Sequence, residues 1–333
     1  MTAILVSDTH FTDRPSDEYR WGLWPWLREQ ARICNADEII HLGDMTDAKD
    51  RHPSRLVNRL VQSALSVTDL VRLYILKGNH DYIEPMDPFF GFTGSHPKVT
   101  YLKIPSVLEL SIGKCTFVPA GTPWNFFLHD FPYCFTHVTF DGAESENGSL
   151  LPGVDPGRLK DYQGMVYSGD IHVPQKVRKN IEYVGAPYHI RFGDSFTPRV
   201  LVVYNNGKTN ELYYPSPRKR ALNIDSVKRL DHVTVDKGDH VRIRYYLHRM
   251  EYDLWHDIRE QIKEIAAKRD WVLFGVEAVP KQTKPVDGDK STGLLTQDEL
   301  FEAYAKKHKL TDEYIAIGRE LLSVTVDRNV TVE

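Results

Sequence analysis

Cysteine is scarce in this chain. Only Cys34, Cys115 and Cys134 occur, each in an apolar setting and none in a Cys-x-x-Cys pair. That excludes a disulfide framework and suits buried free thiols in a reducing compartment. No apolar run is long enough to span a bilayer. The amino terminus passes from Met1 through a short apolar run directly to Asp8, where a signal peptide does not fit. A soluble, cytoplasmic protein without a membrane partner is expected, in the host cytoplasm if phage-encoded. Neither sign of charge dominates: 42 Lys and Arg stand against 46 Asp and Glu, a net charge of −4. A wholesale basic coat for nucleic acid is thereby excluded. Low-complexity tracts and internal repeats are absent too. With 41% hydrophobic and 26% charged residues, the chain affords a sizeable core rather than global disorder. Its 333 residues hold one large domain with an appendage, or two domains.

What is present is first an alternation of strands and helices. Residues 3–7, 38–42 and 71–76 are apolar runs that read as interior strands. Between them, 16–36 and 53–70 carry apolar residues at helical spacing; Pro25 predicts a start or kink in the first, and Pro53 suits a first helical turn of the second. This is the mark of an α/β core. From residue 107 onward short strand-like runs dominate, at 107–112, 115–120, 133–138, 165–168, 181–184 and 200–204. A second sheet packed on the first would accommodate them. Asn206-Gly207 predicts a hairpin from 200–204 to 211–214. After Pro215-Ser216-Pro217 comes a smaller α+β unit, with a strand at 240–247, a helix at 252–269 and a strand at 271–279. A polar linker, 281–293, follows. Thr296 and Glu299 then form a capping box ahead of one helix, and Thr311 begins another. The expected domains are 1–217, 218–281 and 282–333.

Five short segments carry the chemistry. They are Asp8-Thr9-His10, Gly43-Asp44, Gly78-Asn79-His80-Asp81, His137 after Phe135-Thr136, and Gly169-Asp170-Ile171-His172. Each follows a strand-like run. Residues i and i+2 at a strand end face the same way, so Asp8 with His10, and Asp170 with His172, each present two groups to one place. A lone Asp44 there can bridge two ions. Singly, Asp-x-His, Gly-Asp or a buried histidine is commonplace; in this order, all at strand ends, carboxylates, imidazoles and an amide oxygen form a donor set for two divalent cations.

These segments, in this order, resemble the calcineurin-like metallophosphoesterases, and most of all the SbcD-type nucleases of double-strand-break repair. Tyr183-Val184-Gly185-Ala186-Pro187-Tyr188 looks like that family's strand-turn after the last ligands, and residues 219–280 look like its small DNA-capping domain. The resemblance implies a two-sheet sandwich flanked by helices, with an α+β cap and a helical tail. It implies Asp8, His10 and His172 on one ion, Asn79, His137 and Asp170 on the other, and Asp44 bridging. His80 would act on the scissile phosphate. It further implies Mn²⁺, with Mg²⁺ as the other candidate, DNA as substrate, a homodimer of nuclease subunits, and an SbcC-type ABC ATPase bound by the tail, whose apolar positions include Leu300, Phe301, Tyr304, Leu310, Tyr314, Ile315, Leu321 and Leu322. One departure stands out: the family's Gly-His-x-His is here Gly-Asp-Ile-His, with Asp170 in place of an imidazole.

The implied activity is phosphodiester hydrolysis of DNA, exonucleolytic or endonucleolytic. A stand-alone phosphatase or nucleotide phosphodiesterase, and a weakly active DNA-end-binding scaffold, are the competing readings. Arg218, Lys219 and Arg220, with Lys228 and Arg229 near by, either touch the DNA backbone or belong to a solvated interdomain loop. Trp21, Trp24 and Trp26 read as the packed face of a helix rather than as base-stacking groups. Asp47 and Asp81 read as groups that orient their neighbours.

Overall fold

The computed structural model describes residues 1–49, 51–123 and 131–281, together with 301, 305, 306, 310, 311, 314–317 and 319. The chain divides into two compact units, Met1–Val279 and Pro280–Glu333. In chain order the first unit contains β1 (Thr2–Val6), α1 (Leu23–Cys34), β2 (Glu38–His41), α2 (Ser54–Leu65), β3 (Arg72–Leu76), β4 (Val99–Leu102), β5 (Ser106–Leu110), β6 (Gly113–Val118), β7 (Tyr133–His137), β8 (Ala143–Glu144) and β9 (Leu150–Leu151). It continues with β10 (Met165–Gly169), β11 (Gln175–Arg178), β12 (Ile181–Tyr183), β13 (Val200–Tyr204), β14 (Thr209–Leu212), β15 (Lys219–Ile224), β16 (His240–Leu247), α3 (Trp255–Lys268) and β17 (Val272–Pro280).

Two six-stranded sheets, ordered β14-β13-β1-β2-β3-β4 and β11-β12-β10-β7-β6-β5, form the sandwich. The first is parallel from β1 to β4; in the second, β6, β7, β10 and β12 are parallel. The period of two decides what each strand faces. Ile4 and Val6 of β1 pack with Trp24, Leu27, Leu56 and Leu60 of the two helices. Ala3 and Leu5 point the other way, into the layer between the sheets, with Phe117, Phe135 and Tyr167. Buried on both faces, these strands read as continuous apolar runs, as parallel strands do. Truncating fully buried Phe135 to Ala would cost ~3–5 kcal/mol.

Several boundaries differ from the sequence expectation. Residues Pro15–Gly22 form a 3₁₀ stretch, and α1 starts only at Leu23, placing Pro25 in the first turn, where no N–H is needed. α2 ends at Leu65 rather than 70, because the hydroxyls of Ser66 and Thr68 bond back to the carbonyls of Ser63 and Leu65 at 2.6 and 2.8 Å. Pro53 lies just ahead of that helix. The hairpin at Asn206-Gly207 is present, with its second strand opening at Thr209, and Gly207 takes the left-handed conformation the turn requires. The short hairpin β8–β9 was not anticipated.

The remaining sheet, β15-β16-β17, buries Val241, Ile243 and Tyr245 against Ile258, Ile262 and Ala266 of α3. It is tied to the sandwich within the first unit: Lys219 Nζ lies 2.9 Å from Asp17, Gly193 N–H donates to the Lys219 carbonyl at 3.2 Å, and Phe274 meets Phe192 at 5.1 Å between ring centres. In the second unit residues 314–317 are helical, and Ile315 N–H donates to the Thr311 carbonyl. The 282–293 linker residues and the Thr296/Glu299 box lie outside the described residues, as do Leu300, Tyr304, Leu321 and Leu322. Among the described residues no helix is long and apolar enough to cross a membrane.

Candidate metal centre

The parallel strands deliver the five segments to one edge of the sandwich. Asp8 follows β1, Asp44 follows β2, Asn79 follows β3, His137 ends β7, and Asp170 and His172 follow β10. Backbone bonds lace the loops together: Asp8 N–H to Gly43 O (3.1 Å), His10 N–H to Asp44 O (3.0 Å) and Phe11 N–H to Met45 O (2.8 Å). Asp8, His10, Asp44 and Asp170 all have positive φ, at 52°, 40°, 59° and 85°. Non-glycine residues adopt that region at a cost, and its concentration here marks a functional edge. Gly43 is obligatory for the same turn: its φ is +101°, and a Cβ there would sit 2.7 Å from the Gly78 Cα.

The side chains form two halves around Asp44. On one side His10 Nε2 and His172 Nε2 are 3.1 Å apart, and Asp8, His10 and His172 offer donor atoms within 4.8 Å of one another. On the other, Asp8, Asp44 and His137 do the same. Asp44 divides its oxygens between the halves, Oδ2 lying 3.7 Å from His10 Nε2 and Oδ1 3.4 Å from His137 Nε2. Asp170 Oδ1 lies 3.7 Å from His137 Nε2 and accepts the Asn79 amide N–H at 2.8 Å; its Oδ2 accepts the Thr139 hydroxyl. The structure thus brings Asp8, His10, Asp44, Asn79, His137, Asp170 and His172 to one place.

A divalent cation pair fits this donor set. His137 Nδ1 donates to the Leu42 carbonyl at 2.6 Å, so its Nε2 turns a lone pair toward two carboxylate oxygens. That atom, Asp8 Oδ2 and Asn79 Oδ1 are buried and make no hydrogen bond within the described chain, an arrangement that calls for positive charge between them. The electrostatics agree. Burial opposes charge on His137, yet the carboxylates of Asp44, Asp8 and Asp170 outweigh it and push its pKa well above the ordinary imidazole value. Burial pushes Asp8 up to about 6, although His137 and His172 resist. Burial acts on Asp44 too, but His137 and His10 hold its carboxyl well below the usual range.

His80 is half-buried at the cleft, its ring 5.0 Å from that of His10. Its backbone N–H donates to Asp44 Oδ1 (2.8 Å) and its Nδ1 donates to the Asp47 carbonyl (2.9 Å), which leaves Nε2 for chemistry. Asp81 accepts from the backbone N–H groups of Asp44, Met45 and Gly78 at 3.0, 3.0 and 2.7 Å. It orients the Asp44 turn. Asp47 is exposed, with Oδ1 3.8 Å from His10 Nδ1.

Sequence reasoning missed several groups. Buried Arg20 donates to the His10 carbonyl and pairs with Asp17 at 3.3 Å. His41 stacks on Trp24 and accepts the Gly43 N–H at 3.2 Å. The Tyr188 hydroxyl, from the anticipated strand-turn, donates to the Thr9 carbonyl. Glu146, at the tip of β8–β9, lies 2.5 Å from His172 Nδ1. Asn147-Gly148 was the one available sequence signal for that hairpin. The basic cluster divides between buried and exposed positions. Lys219 is buried, with its ammonium on Asp17 and 3.2 Å from the Ile190 carbonyl, so its charge is engaged inside the protein rather than presented at the surface. Arg220 pairs with Asp239 at 3.5 Å, and only Arg218 of the three is exposed.

The site opens into a cleft of about 660 Å³, walled by Ser145–Asn147 on one side and Ile190–Asp194 on another. A family model described as calcineurin-like phosphoesterase matches residues 1–174. The chain is 23% identical over 248 residues to "Putative phosphoesterase 244L" of Invertebrate iridescent virus 6, a match covering 68% of this chain and 84% of that protein. Among solved structures it is similar to a nuclease of Pseudomonas putida, MPE, with a TM-score of 0.33 and 15% identity over 63% of this chain and 87% of that one. It is also similar to a protein of unknown function from Aquifex aeolicus, AQ665, with a TM-score of 0.27 and 14% identity over 56% and 89% of the two chains.

Proposed function

The chain belongs to the calcineurin-like phosphoesterase family, a family of metal-dependent phosphoester hydrolases, and from that premise we propose that it is a two-metal DNA nuclease, the catalytic subunit of an SbcCD-like recombination and repair complex. The observation that carries hydrolysis is Asp44, set between two imidazole groups with one oxygen toward each. In favour of a polymeric substrate is the 219–280 sheet, bonded to the Ile190–Asp194 segment that walls an open cleft.

In this reading Asp8, His10 and His172 hold one divalent cation, Asn79, His137 and Asp170 the other, and Asp44 both. A divalent cation held there, Mn²⁺ or Mg²⁺, would supply Lewis acidity toward a phosphoester and make bound water more acidic. The protein's own part is positioning. His137 is held in one tautomer by Leu42, and the Asp44 turn is fixed by Asp81. His80, with Nδ1 occupied by the Asp47 carbonyl, places Nε2 to bond a phosphate oxygen or hand a proton to the leaving oxygen. Asp170 offers an oxygen already bonded to Asn79, and its remaining lone pairs can serve a hard cation. No covalent enzyme intermediate is required.

The test compares linear duplex DNA with a chromogenic phosphodiester, each with Mn²⁺, Mg²⁺ or chelator. Degradation of DNA that chelator abolishes supports the nuclease. Turnover of the small diester alone points to a phosphatase or nucleotide phosphodiesterase. DNA-end binding without cleavage points to a scaffold whose site Asp170 has weakened. The SbcC-type ABC ATPase on the tail and the homodimer belong to the proposal on sequence grounds. Deleting residues 290–333 should spare small-diester hydrolysis and abolish ATP-stimulated DNA degradation in the presence of such a partner.

A further inference from the structure

We propose that Glu146 is a positioning residue for the metal centre: from the tip of the β8–β9 hairpin it fixes the His172 imidazole so that Nε2, not Nδ1, faces the site. The inference deepens the metal-centre reading above and rests on it for its chemistry.

Contacts at the imidazole, at the Gln175 clamp and within the hairpin tip build the geometry. Glu146 Oε1 lies 2.5 Å from His172 Nδ1. Nδ1 is buried and has no hydrogen bond to any other group among the described residues, so Glu146 is the acceptor closest to it. His172 Nε2, the opposite ring nitrogen, lies 3.1 Å from His10 Nε2, where both lone pairs can share one cation. The hairpin is held against the segment that carries His172: Glu144 N–H donates to Gln175 Oε1 at 2.8 Å, and Gln175 Nε2 donates to the Glu144 carbonyl at 2.7 Å. Gln175 stands three residues beyond His172, so the clamp sets the hairpin tip in register with the ligand. The tip has its own internal frame, with Ser145 N–H on the Ser149 carbonyl at 2.9 Å and the Asn147 side chain accepting the Ser149 N–H at 3.0 Å. Glu146 is only partly exposed, and neither half of the site uses it as a donor.

Metal-binding imidazoles generally give their other nitrogen to a carboxylate or carbonyl, which fixes the tautomer and strengthens the lone pair; loss of that partner typically costs ~10–100-fold in metal affinity. His137 already uses the Leu42 carbonyl in this way. Glu146 is the corresponding group for His172, delivered by a surface hairpin whose tip also walls the cleft. The hairpin is therefore both a substrate wall and a support for a ligand.

The test uses the full chain with Glu146→Ala and Glu146→Gln. Nitrogen NMR of the metal-free protein in alkaline buffer, where the imidazole is neutral, reads the His172 tautomer directly. Mn²⁺ titration calorimetry reads affinity. The expected result is the Nδ1–H tautomer in the wild type, a mixture in Glu146→Ala, and an intermediate state in Glu146→Gln, whose amide oxygen can still accept. Mn²⁺ affinity should fall ~10–100-fold in Glu146→Ala and less in Glu146→Gln. Gln175→Ala, which removes only the clamp, should reproduce a part of the loss. An unchanged tautomer in Glu146→Ala overturns the inference. A wild type that binds no divalent cation overturns the metal-centre reading instead, because the tautomer is measured without metal.

Discussion

The two halves of the site are built from different materials. The half formed by Asp8, His10 and His172 is nitrogen-rich: its two imidazoles face each other at 3.1 Å, and among the described residues only Asp44 also approaches those nitrogens. The half formed by Asn79, His137 and Asp170 is oxygen-rich, and its carboxylate is already engaged by Asn79 and Thr139. Imidazole suits borderline cations such as Mn²⁺, whereas carboxylate and amide oxygens suit hard ones. The halves should therefore differ in cation preference and in tightness, the nitrogen-rich half binding first and the oxygen-rich half responding more to its surroundings. Asp44 belongs to both, and it is the place where the comparison can be broken outright.

Asp44→Asn should have the largest effect. It removes the charge shared between the halves and replaces one of the two oxygens by an amide NH2, while the remaining oxygen can still accept the His80 N–H. Cation stabilisation of the transition state amounts to several kcal/mol, so turnover should fall ~10³-fold or more, and calorimetry should show both binding steps weakened. Loss of one step alone would mean that Asp44 serves one half only. His80→Ala comes next. His80 belongs to neither half, and its removal should lower turnover by ~10²-fold or more while leaving both binding steps intact. A parallel loss of metal would place His80 among the donors.

Asp170→His converts the oxygen-rich half into a nitrogen-rich one and should erase much of the difference. Activity should persist, with the Mn²⁺/Mg²⁺ activity ratio rising by about tenfold, an effect of about 1.4 kcal/mol. Identical ratios for the two proteins would mean that Asp170 does not touch the cation.

The difference between the halves was partly legible in the sequence. The two-sheet sandwich follows from apolar runs that end abruptly in ligand-type residues, since strand and donor share the same few positions; Asp8-Thr9-His10 and Asp170-Ile171-His172 needed only the period of two. Asp170 in place of an imidazole was visible as a single letter. What supports these residues was not visible, because it comes from far along the chain. Thr139 lies 31 positions from Asp170 and Glu146 lies 26 from His172, and although Thr139 follows His137 by two and Glu146 precedes Asn147-Gly148, nothing in either segment names the distant residue it meets. Arg20 reads as one more charge on a helix, yet it is buried and holds the His10 carbonyl. Lys219 misled for the same reason in reverse: a basic triplet looks like surface, and nothing local reveals that Asp17, 202 residues away, draws its middle member inside. Local periodicity reports which face a residue occupies, and only the fold reports what it meets there.

Thr139→Val is the finest probe of the comparison and should have the smallest effect. The Thr139 hydroxyl donates to Asp170 Oδ2, while Oδ1 keeps its bond from Asn79. Valine preserves the shape and removes the donor, so the carboxylate keeps one restraint of two. A hydrogen bond to a charged group contributes ~1.5–3 kcal/mol, but a carboxylate released from it also becomes a stronger donor to a cation, and the two effects oppose. The net expectation is a roughly tenfold loss at the weaker binding step, at the lower end of what removal of a supporting contact costs. The tighter step should not change, because Thr139 makes no contact with His10 or His172 among the described bonds. Two-step Mn²⁺ calorimetry on Thr139→Val therefore assigns the weaker step to the oxygen-rich half. If the tighter step moves instead, the order of filling is reversed. If neither step moves, the Thr139 hydroxyl does not set the tightness of the oxygen-rich half, and the position of Asp170 is left to the Asp170→His comparison.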